Sequence, residues 1–232
     1  MGIGLRSLSD MQPIYFLPED NLLGEVIIPC LRVTTSYDCM TGFFHSAVLR
    51  EMAPGLADFI ARPEGKMRLL ASPYLTQKDQ EAIKNGISTA PDILAKRIEE
   101  LYGSAEITVS ALTRHTLECL AYLISVHRIA FRLVLVRDGL FHPKIRIFSD
   151  GKDYLAVHGS NNLTRSGFTT NVEQVVISRS WLGNEQEEVV QRLRTEFDSV
   201  WSGEKTNYIR TYELPEAFRG RIVQEFLPQR PP

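Results

Sequence analysis

Two short motifs and one carboxylate in the second half of the sequence carry residue types that act on phosphate. His142 and Lys144 stand two residues apart in "HPKIRIF", and "GSNN" (159–162) follows after a turn-rich connection. An imidazole can attack phosphorus, an ammonium can offset phosphate charge, and hydroxyl or amide groups can donate to phosphate oxygens. Glu173 could bond the far nitrogen of an imidazole and fix its tautomer. This set predicts a site that binds and breaks a phosphodiester without a metal ion or cofactor.

The strand around His142 predicts where these side chains point. Residues at i and i+2 of a strand project from the same face, so we expect His142, Lys144 and Arg146 on one face. Ile145 should point the opposite way, into the core. Pro143 cannot donate to a β-ladder, which predicts an edge or a bulge at that position.

The turn after this strand supplies uncharged donors. Gly159 permits close approach of the backbone, while Ser160 and Asn162 offer a hydroxyl and an amide. Lys144 and these donors together could bind a phosphate. Arg165, just beyond the turn, is a candidate for a further phosphate contact; its alternative interpretation is a solvated loop arginine.

Composition restricts the class of protein. The chain has 232 residues, of which 44% are hydrophobic and 23% charged, which suits one large α/β domain or two small ones. The net charge is −2, so a polyanion would need a local basic patch. The absence of a signal-like N-terminus, of a long apolar run and of disulfide-type cysteine spacing predicts a soluble, cytoplasmic protein with no membrane partner.

Hydrophobic periodicity predicts alternating helices and strands, hence an α/β fold with a mixed sheet flanked by helices on both faces. We expect one domain over 1–210 and a C-terminal extension over 211–232, which could lead to a further domain. Asn184 and Glu187 predict a capping box for the last helix. The predicted helices are 40–61 with a kink or break at Pro54–Gly55, 76–86, 91–102, 111–128 and 184–201. The predicted strands are 67–72, 131–136, 142–148, 154–158 and 173–178.

These residues also carry a family resemblance. The order H-x-K (142–144), G-S-x-N (159–162) and N-x-E (171–173) resembles the signature of the phospholipase D superfamily, in particular its nuclease branch with a single motif copy. The wider frame, including "GLFHPKIRIFSDG" and "FDSVW", resembles the N-terminal domain of bacterial superfamily 2 helicases from defence and restriction systems. The resemblance covers most of the chain and is specific over 141–173.

The chain departs from the family pattern H-x-K-x4-D-x6-G-S-x-N in two places. Ser149 occupies the Asp position and Asp150 follows it; fourteen residues, three more than in the pattern, separate Lys144 from Gly159. A longer hairpin would absorb the three extra residues without moving His142. The chain holds a single H-x-K, and family members with one copy build the active site across a twofold axis, so the resemblance implies a homodimer.

The resemblance implies a phosphohistidine mechanism on DNA or RNA. His142 of one subunit attacks phosphorus, and His142 of the other protonates the leaving oxygen and then activates water. Lys144, Ser160 and Asn162 bind the non-bridging oxygens, and Glu173 positions the imidazole. A helicase domain or subunit is the implied partner.

Less specific interpretations stand beside this one. Each motif alone is also typical of an ordinary strand or turn, and a catalytically silent dimerisation or DNA-binding module of a larger helicase is the main alternative. A lipid phosphodiesterase is a third. His158 is expected to point inward with a backbone partner, and aromatic residues at element ends are either base-stacking platforms or packing anchors: Tyr37, Phe43, Trp181 and Trp201.

Overall fold

The aliphatic and β-branched runs of the chain form one mixed β-sheet. The computed structural model describes residues 4–42, 47–72, 122–137, 139–205 and 207–213. The strands are β1 (Ile14–Leu17), β2 (Ser36–Thr41), β3 (Lys66–Ala71), β4 (Ile129–Val136), β5 (Lys144–Ser149), β6 (Tyr154–Gly159), β7 (Glu173–Arg179) and β8 (Ile209–Glu213). Their spatial order is β1-β7-β6-β5-β2-β3-β4-β8.

The sheet mixes parallel and antiparallel pairs. β3 is parallel to both β2 and β4. The remaining neighbours are antiparallel, including the β5–β6 hairpin. The predicted mixed sheet is therefore confirmed.

Helices cover both faces of the sheet, as predicted. A 3₁₀ turn (Leu5–Ser7) and a π-helical turn (Leu23–Ile27) precede α1 (Ile28–Val33), α2 (Ala47–Ala61), α3 (Arg165–Thr169) and α4 (Asn184–Trp201). The larger core cluster contains residues of α1, α2 and α3, and the smaller one contains Val190, Phe197 and Val200 of α4. β5 contributes to both clusters, Phe148 to the larger and Ile145 and Ile147 to the smaller.

The predicted helix 40–61 is wrong at its start. Residues 36–41 extend as β2 between β3 and β5, and α2 begins at Ala47. Of the kink or break predicted at Pro54–Gly55, the break is wrong, because α2 continues through Pro54. A Cβ on Gly55 would lie 2.9 Å from the Ile28 carbonyl oxygen, so this glycine lets α2 pack closely on α1.

Several other element predictions are confirmed within about two residues at their ends: β3 to β7 and α4. The capping box is wrong, since Gly183 is the N-cap of α4 and no side chain bonds there. The sequence patterns did not predict β1, β2 or β8. Residues 76–86, 91–102 and 111–121 lie outside the described part of the chain, and the proposed boundary at 210 falls within β8.

In the ranges that the structure describes, no helix combines the length and the apolar character that crossing a membrane requires.

Candidate active site

Four chain segments end or begin at the same end of the sheet. β2 ends at Thr41, β5 begins at Lys144, and these two residues are register partners. β6 ends at Gly159 and pairs antiparallel with β7, which begins at Glu173. Because β5 is antiparallel to β2 and β6, these termini lie on one side. This topology collects His142, Lys144, Ser160, Asn162 and Glu173 at one end of the sheet.

His142 precedes the strand rather than lying on it, because β5 begins at Lys144. The strand therefore begins two residues later than predicted, and the same-face placement of His142 and Lys144 stays a prediction. A hydrogen bond links the two residues: Lys144 Nζ donates to the His142 carbonyl oxygen over 2.8 Å. His142 is an exposed residue, whereas Lys144 is only 3% exposed. Burial lowers the Lys144 pKa, and the nearby Glu173 carboxylate opposes this shift.

Pro143 does not mark an edge or a bulge. β5 is a central strand between β2 and β6. The proline sits just before its first residue, outside the ladder, so its missing N–H removes no strand hydrogen bond.

Ser160 and Glu173 form the best-connected part of the site. Ser160 Oγ donates to Glu173 Oε2, and Asn171 Nδ2 donates to Glu173 Oε1 over 3.1 Å. The Ser160 N–H donates to the Gln174 carbonyl, and the Gln174 N–H donates back to Ser160 Oγ, each over 3.0 Å. Among the described residues, no hydrogen bond joins the His142 imidazole to Glu173.

Gly159 brings β6 very close to β7. A Cβ at this position would lie 2.1 Å from the Gln174 carbonyl oxygen and 2.8 Å from Val175 Cα. No side chain fits there without separating the strands. The glycine therefore sets the spacing at which Ser160 meets Glu173.

Gly42 belongs to the site, although the sequence patterns did not single it out. A Cβ on Gly42 would lie 3.0 Å from the Phe141 carbonyl oxygen, 3.4 Å from Asn162 Oδ1 and 3.6 Å from His142 Cα. This residue follows directly after β2 and packs between the two motifs. A glycine at the end of an alternating strand was the available signal, hidden by the helix predicted over the same residues.

The segment after the turn is held by β2 and α2. Thr41 Oγ1 accepts from the Leu163 N–H over 3.1 Å, and Thr164 caps α3 by accepting from the Gly167 N–H. Arg165 is 61% exposed and pairs with Glu51 of α2 over 3.2 Å. It lies on the segment that follows the site, with a carboxylate as its partner in this structure.

Asp150, which follows the Asp position of the family pattern, bonds backbone groups away from the site. Asp150 accepts hydrogen bonds from the N–H groups of Leu5, Lys152 and Asp153. Partial burial opposes ionisation, but these bonds outweigh it and lower the Asp150 pKa. Asp150 lies beyond the far end of β5, about 20 Å from Lys144 at the rise of an extended strand. The β5–β6 turn it stabilises is on the side away from the site.

Other candidates from the sequence lie elsewhere. His158 Nε2 bonds Ser178 Oγ over 3.1 Å, so the predicted backbone partner is wrong; burial lowers the His158 pKa. Tyr37 is 1% exposed and packs on Phe148, and Trp201 stacks on Phe197. These two aromatic residues are packing anchors. Phe43 is outside the described residues.

Across the part of the chain that the structure describes, no three His, Cys, Asp or Glu side chains are grouped so that they could hold a metal ion.

A family model identifies the domain. The model described as "Cardiolipin synthase, PLD-like domain" matches residues 72–201, which is more than half of the chain. The chain belongs to this family of PLD-like domains. The matched residues of the PLD-like domain include His142, Lys144, the 159–162 turn and Glu173. No curated protein matches the sequence significantly.

Solved structures similar to the PLD-like domain have low sequence identity. NucT from Helicobacter pylori is 13% identical, with a TM-score of 0.45 over 80% of this chain and 92% of that one. The phospholipase D family member Nuc from Salmonella typhimurium is 13% identical, with a TM-score of 0.45 over 87% and 97%. Phosphatidylserine synthase from Haemophilus influenzae is 12% identical, with a TM-score of 0.46 over 91% and 44%.

Proposed function

We propose that this PLD-like domain is a metal-independent phosphodiesterase that acts on nucleic acid, as a DNA nuclease domain. The observation that carries the proposal is the meeting of His142, Lys144, the Ser160–Asn162 turn and Glu173 at one end of the sheet. The set provides a nucleophile, a buried cation, neutral donors and a carboxylate. These are the parts that phosphoryl transfer needs when charge is stabilised by protein groups.

The reaction proceeds in two displacements at phosphorus. An imidazole nitrogen of His142 forms a bond to phosphorus while the P–O bond to the leaving group breaks, and His142 of a second subunit gives the leaving oxygen its proton. That second imidazole then takes a proton from water. The resulting attack on phosphorus breaks the N–P bond and regenerates the first imidazole. Lys144 and Asn162 stabilise the charged oxygens in both steps.

Substrate binding requires an exchange of hydrogen bonds around Glu173. The Ser160 hydroxyl has one proton, which it directs to Glu173 in this structure. To donate to phosphate, Ser160 must release the carboxylate. Glu173 then accepts from the imidazole N–H of His142 and fixes its tautomer. In the same way, Arg165 releases Glu51 and binds a substrate phosphate that lies farther along the chain of the nucleic acid from the cleaved bond.

A homodimer completes the site in this proposal. The chain holds one H-x-K, whereas the two displacements use two imidazoles. His142 is exposed at the end of the sheet, as an imidazole shared with a second subunit must be. Association with a helicase domain or subunit, in the cytoplasm, extends the proposal on the basis of the sequence resemblance alone.

The test is cleavage of plasmid and oligonucleotide DNA in excess EDTA. We expect the native chain to cleave, His142→Ala to be inactive, and the matched control His127→Asn to remain active. His127 is a turn residue with φ of 55°, a conformation that Asn tolerates. Cleavage that EDTA abolishes and that survives in His142→Ala refutes the mechanism. Salt-sensitive DNA binding without cleavage would support the alternative of a silent DNA-binding module. Choline release from phosphatidylcholine vesicles would support a lipid phosphodiesterase.

A further inference from the structure

One arginine lies fully buried beneath the site without a carboxylate. Arg146 is 1% exposed and is a residue of the central strand β5. It projects from the same face as Lys144, toward the larger core cluster. Among the described residues, no Asp or Glu pairs with it. A cation in an apolar core loses its hydration, so its hydrogen bonds must offset that loss.

Within the described residues, both hydrogen bonds of this guanidinium go to one residue of the phosphate-binding turn. Arg146 Nη1 donates to Asn161 Oδ1 and Nη2 donates to the Asn161 carbonyl oxygen, each over 3.0 Å. Asn161 is fully buried and sits between Ser160 and Asn162. The two bonds fix its side chain and its backbone together. The guanidinium carbon lies over the Phe168 ring of α3, 5.0 Å from the ring centroid.

The buried contact between Arg146 and Asn161 lowers the stability of the fold compared with an apolar pair. Within the described structure, Arg146 Nε and Asn161 Nδ2 are buried with no hydrogen-bond partner. An apolar pair of similar volume would fill this space without burying a charge or unpaired polar atoms. Departures of this kind concentrate at functional sites. The neighbours of Asn161 in the chain are the two neutral donors of the site.

We propose that Arg146 is a positioning residue that holds Asn161, and so places Ser160 and Asn162 for phosphate. The inference rests on the proposed function for its catalytic consequence. The contact requires both donors of the planar guanidinium, because Nη1 bonds the Asn161 side chain and Nη2 bonds the Asn161 backbone carbonyl. The buried charge itself is not the essential feature. Two substitutions separate these properties.

Arg146→Lys keeps the charge and loses the two-point contact. Asn161→Asp keeps both acceptors, and its negative charge neutralises the buried guanidinium. The second carboxylate oxygen replaces the amide nitrogen, which has no hydrogen-bond partner among the described residues. We expect Arg146→Lys and Arg146→Met to lower kcat about 100-fold, the usual result of misplacing catalytic groups by about 1 Å. Because Asn161→Asp keeps both acceptors of the guanidinium, it should leave the turn in place, which is measured by amide exchange rather than by kcat. Ile147→Ala, buried on the opposite face of β5, is the control for a general loss of stability.

Native-state amide hydrogen exchange at residues 160–163 provides a readout that does not depend on activity. The Ser160 and Leu163 N–H groups are hydrogen-bonded in this structure. Their exchange should accelerate about tenfold or more in Arg146→Lys and Arg146→Met, beyond any change in Ile147→Ala, and stay slow in Asn161→Asp. Slow exchange and native kcat in Arg146→Lys overturn the inference. So does fast exchange at Ser160 and Leu163 in Asn161→Asp, which keeps both acceptors of the guanidinium. If the native chain cleaves nothing, the proposed function fails, and the exchange rates still decide whether Arg146 holds the turn.

Discussion

Replacement of Gly159 by alanine tests the strand spacing that sets the site. The new Cβ would lie 2.1 Å from the Gln174 carbonyl oxygen, and this contact must open by about 0.9 Å to reach 3.0 Å, the shortest that Cβ atoms ordinarily show. The same oxygen accepts the Ser160 N–H over 3.0 Å. Opening the contact therefore breaks that hydrogen bond and moves Ser160 relative to Glu173.

The magnitude follows from these two effects. Overpacking costs about 2 kcal/mol and the lost hydrogen bond about 1 kcal/mol, so the free energy of unfolding should fall by about 3 kcal/mol. For a chain of this length, this lowers Tm by about 6–12 °C. Displacement of Ser160 by almost 1 Å should also lower kcat/KM for DNA about 100-fold, measured at a temperature where the variant is folded.

Gly183→Ala is the matched control. Gly183 has φ of 109° and open space around its Cβ position, so alanine strains the backbone at the start of α4 without touching the site. We expect a loss of stability of about 1–3 kcal/mol with native kcat/KM. Thermal unfolding by circular dichroism and an oligonucleotide cleavage assay give both quantities. A Gly159→Ala variant with Tm within about 2 °C of the native value would contradict the close approach of β6 and β7.

The remaining predictions concern three charged residues. Lys144→Met should abolish cleavage and raise Tm at pH 7, because burial lowers the Lys144 pKa and so disfavours its charged form in the folded chain. Folded Lys144 loses its proton at the lowered pKa, whereas unfolded Lys144 keeps it up to about 10.5. The gain in Tm should therefore shrink as the pH rises between these two values, and an unchanged gain would contradict the lowered pKa of Lys144. Asp150→Asn should lower the free energy of unfolding by about 2 kcal/mol at pH 7 and leave kcat unchanged, since the carboxylate bonds backbone N–H groups far from the site. Its pKa is depressed, so the difference from the native chain should disappear as the pH falls below 3.8 through the folded-state pKa, which urea unfolding at several pH values would show. Arg165→Gln should raise KM for long DNA a few-fold and change stability by less than about 1 kcal/mol, because the Arg165 side chain is 61% exposed in its pair with Glu51. An unchanged KM would remove Arg165 from the substrate path.

The order of the motifs predicted that the candidate catalytic residues lie together, because their placement depends on local strand and turn patterns. The hairpin from β5 to β6 and the strand β7 follow from alternation and turn residues, and their pairing brings Lys144, Ser160 and Glu173 to one end. The link between His142 and Lys144 could not be predicted in the same way. It depends on where β5 begins, and element ends are the least certain part of any sequence pattern.

Features that arise from long-range packing were not accessible from the sequence. Gly42 reaches the site because β2 inserts between β3 and β5, and a run of apolar residues at helical spacing concealed that strand's end. The bond from Arg146 to Asn161 spans fifteen positions and becomes visible only when the register of β5 and β6 is known. Asp150, beside the pattern's Asp position, is explained by Leu5, which is 145 residues away in the chain.

Detection of a covalent intermediate at His142 tests the central claim most directly. DNA mixed with the native chain is quenched in alkali, where a phosphohistidine persists, and the peptides are analysed by mass spectrometry. We expect a nucleotide phosphate adduct on the peptide that contains His142, stable in alkali and lost in acid, with no adduct in His142→Ala. Rapid cleavage in EDTA with no adduct at His142, or with an adduct on another residue, would contradict the account.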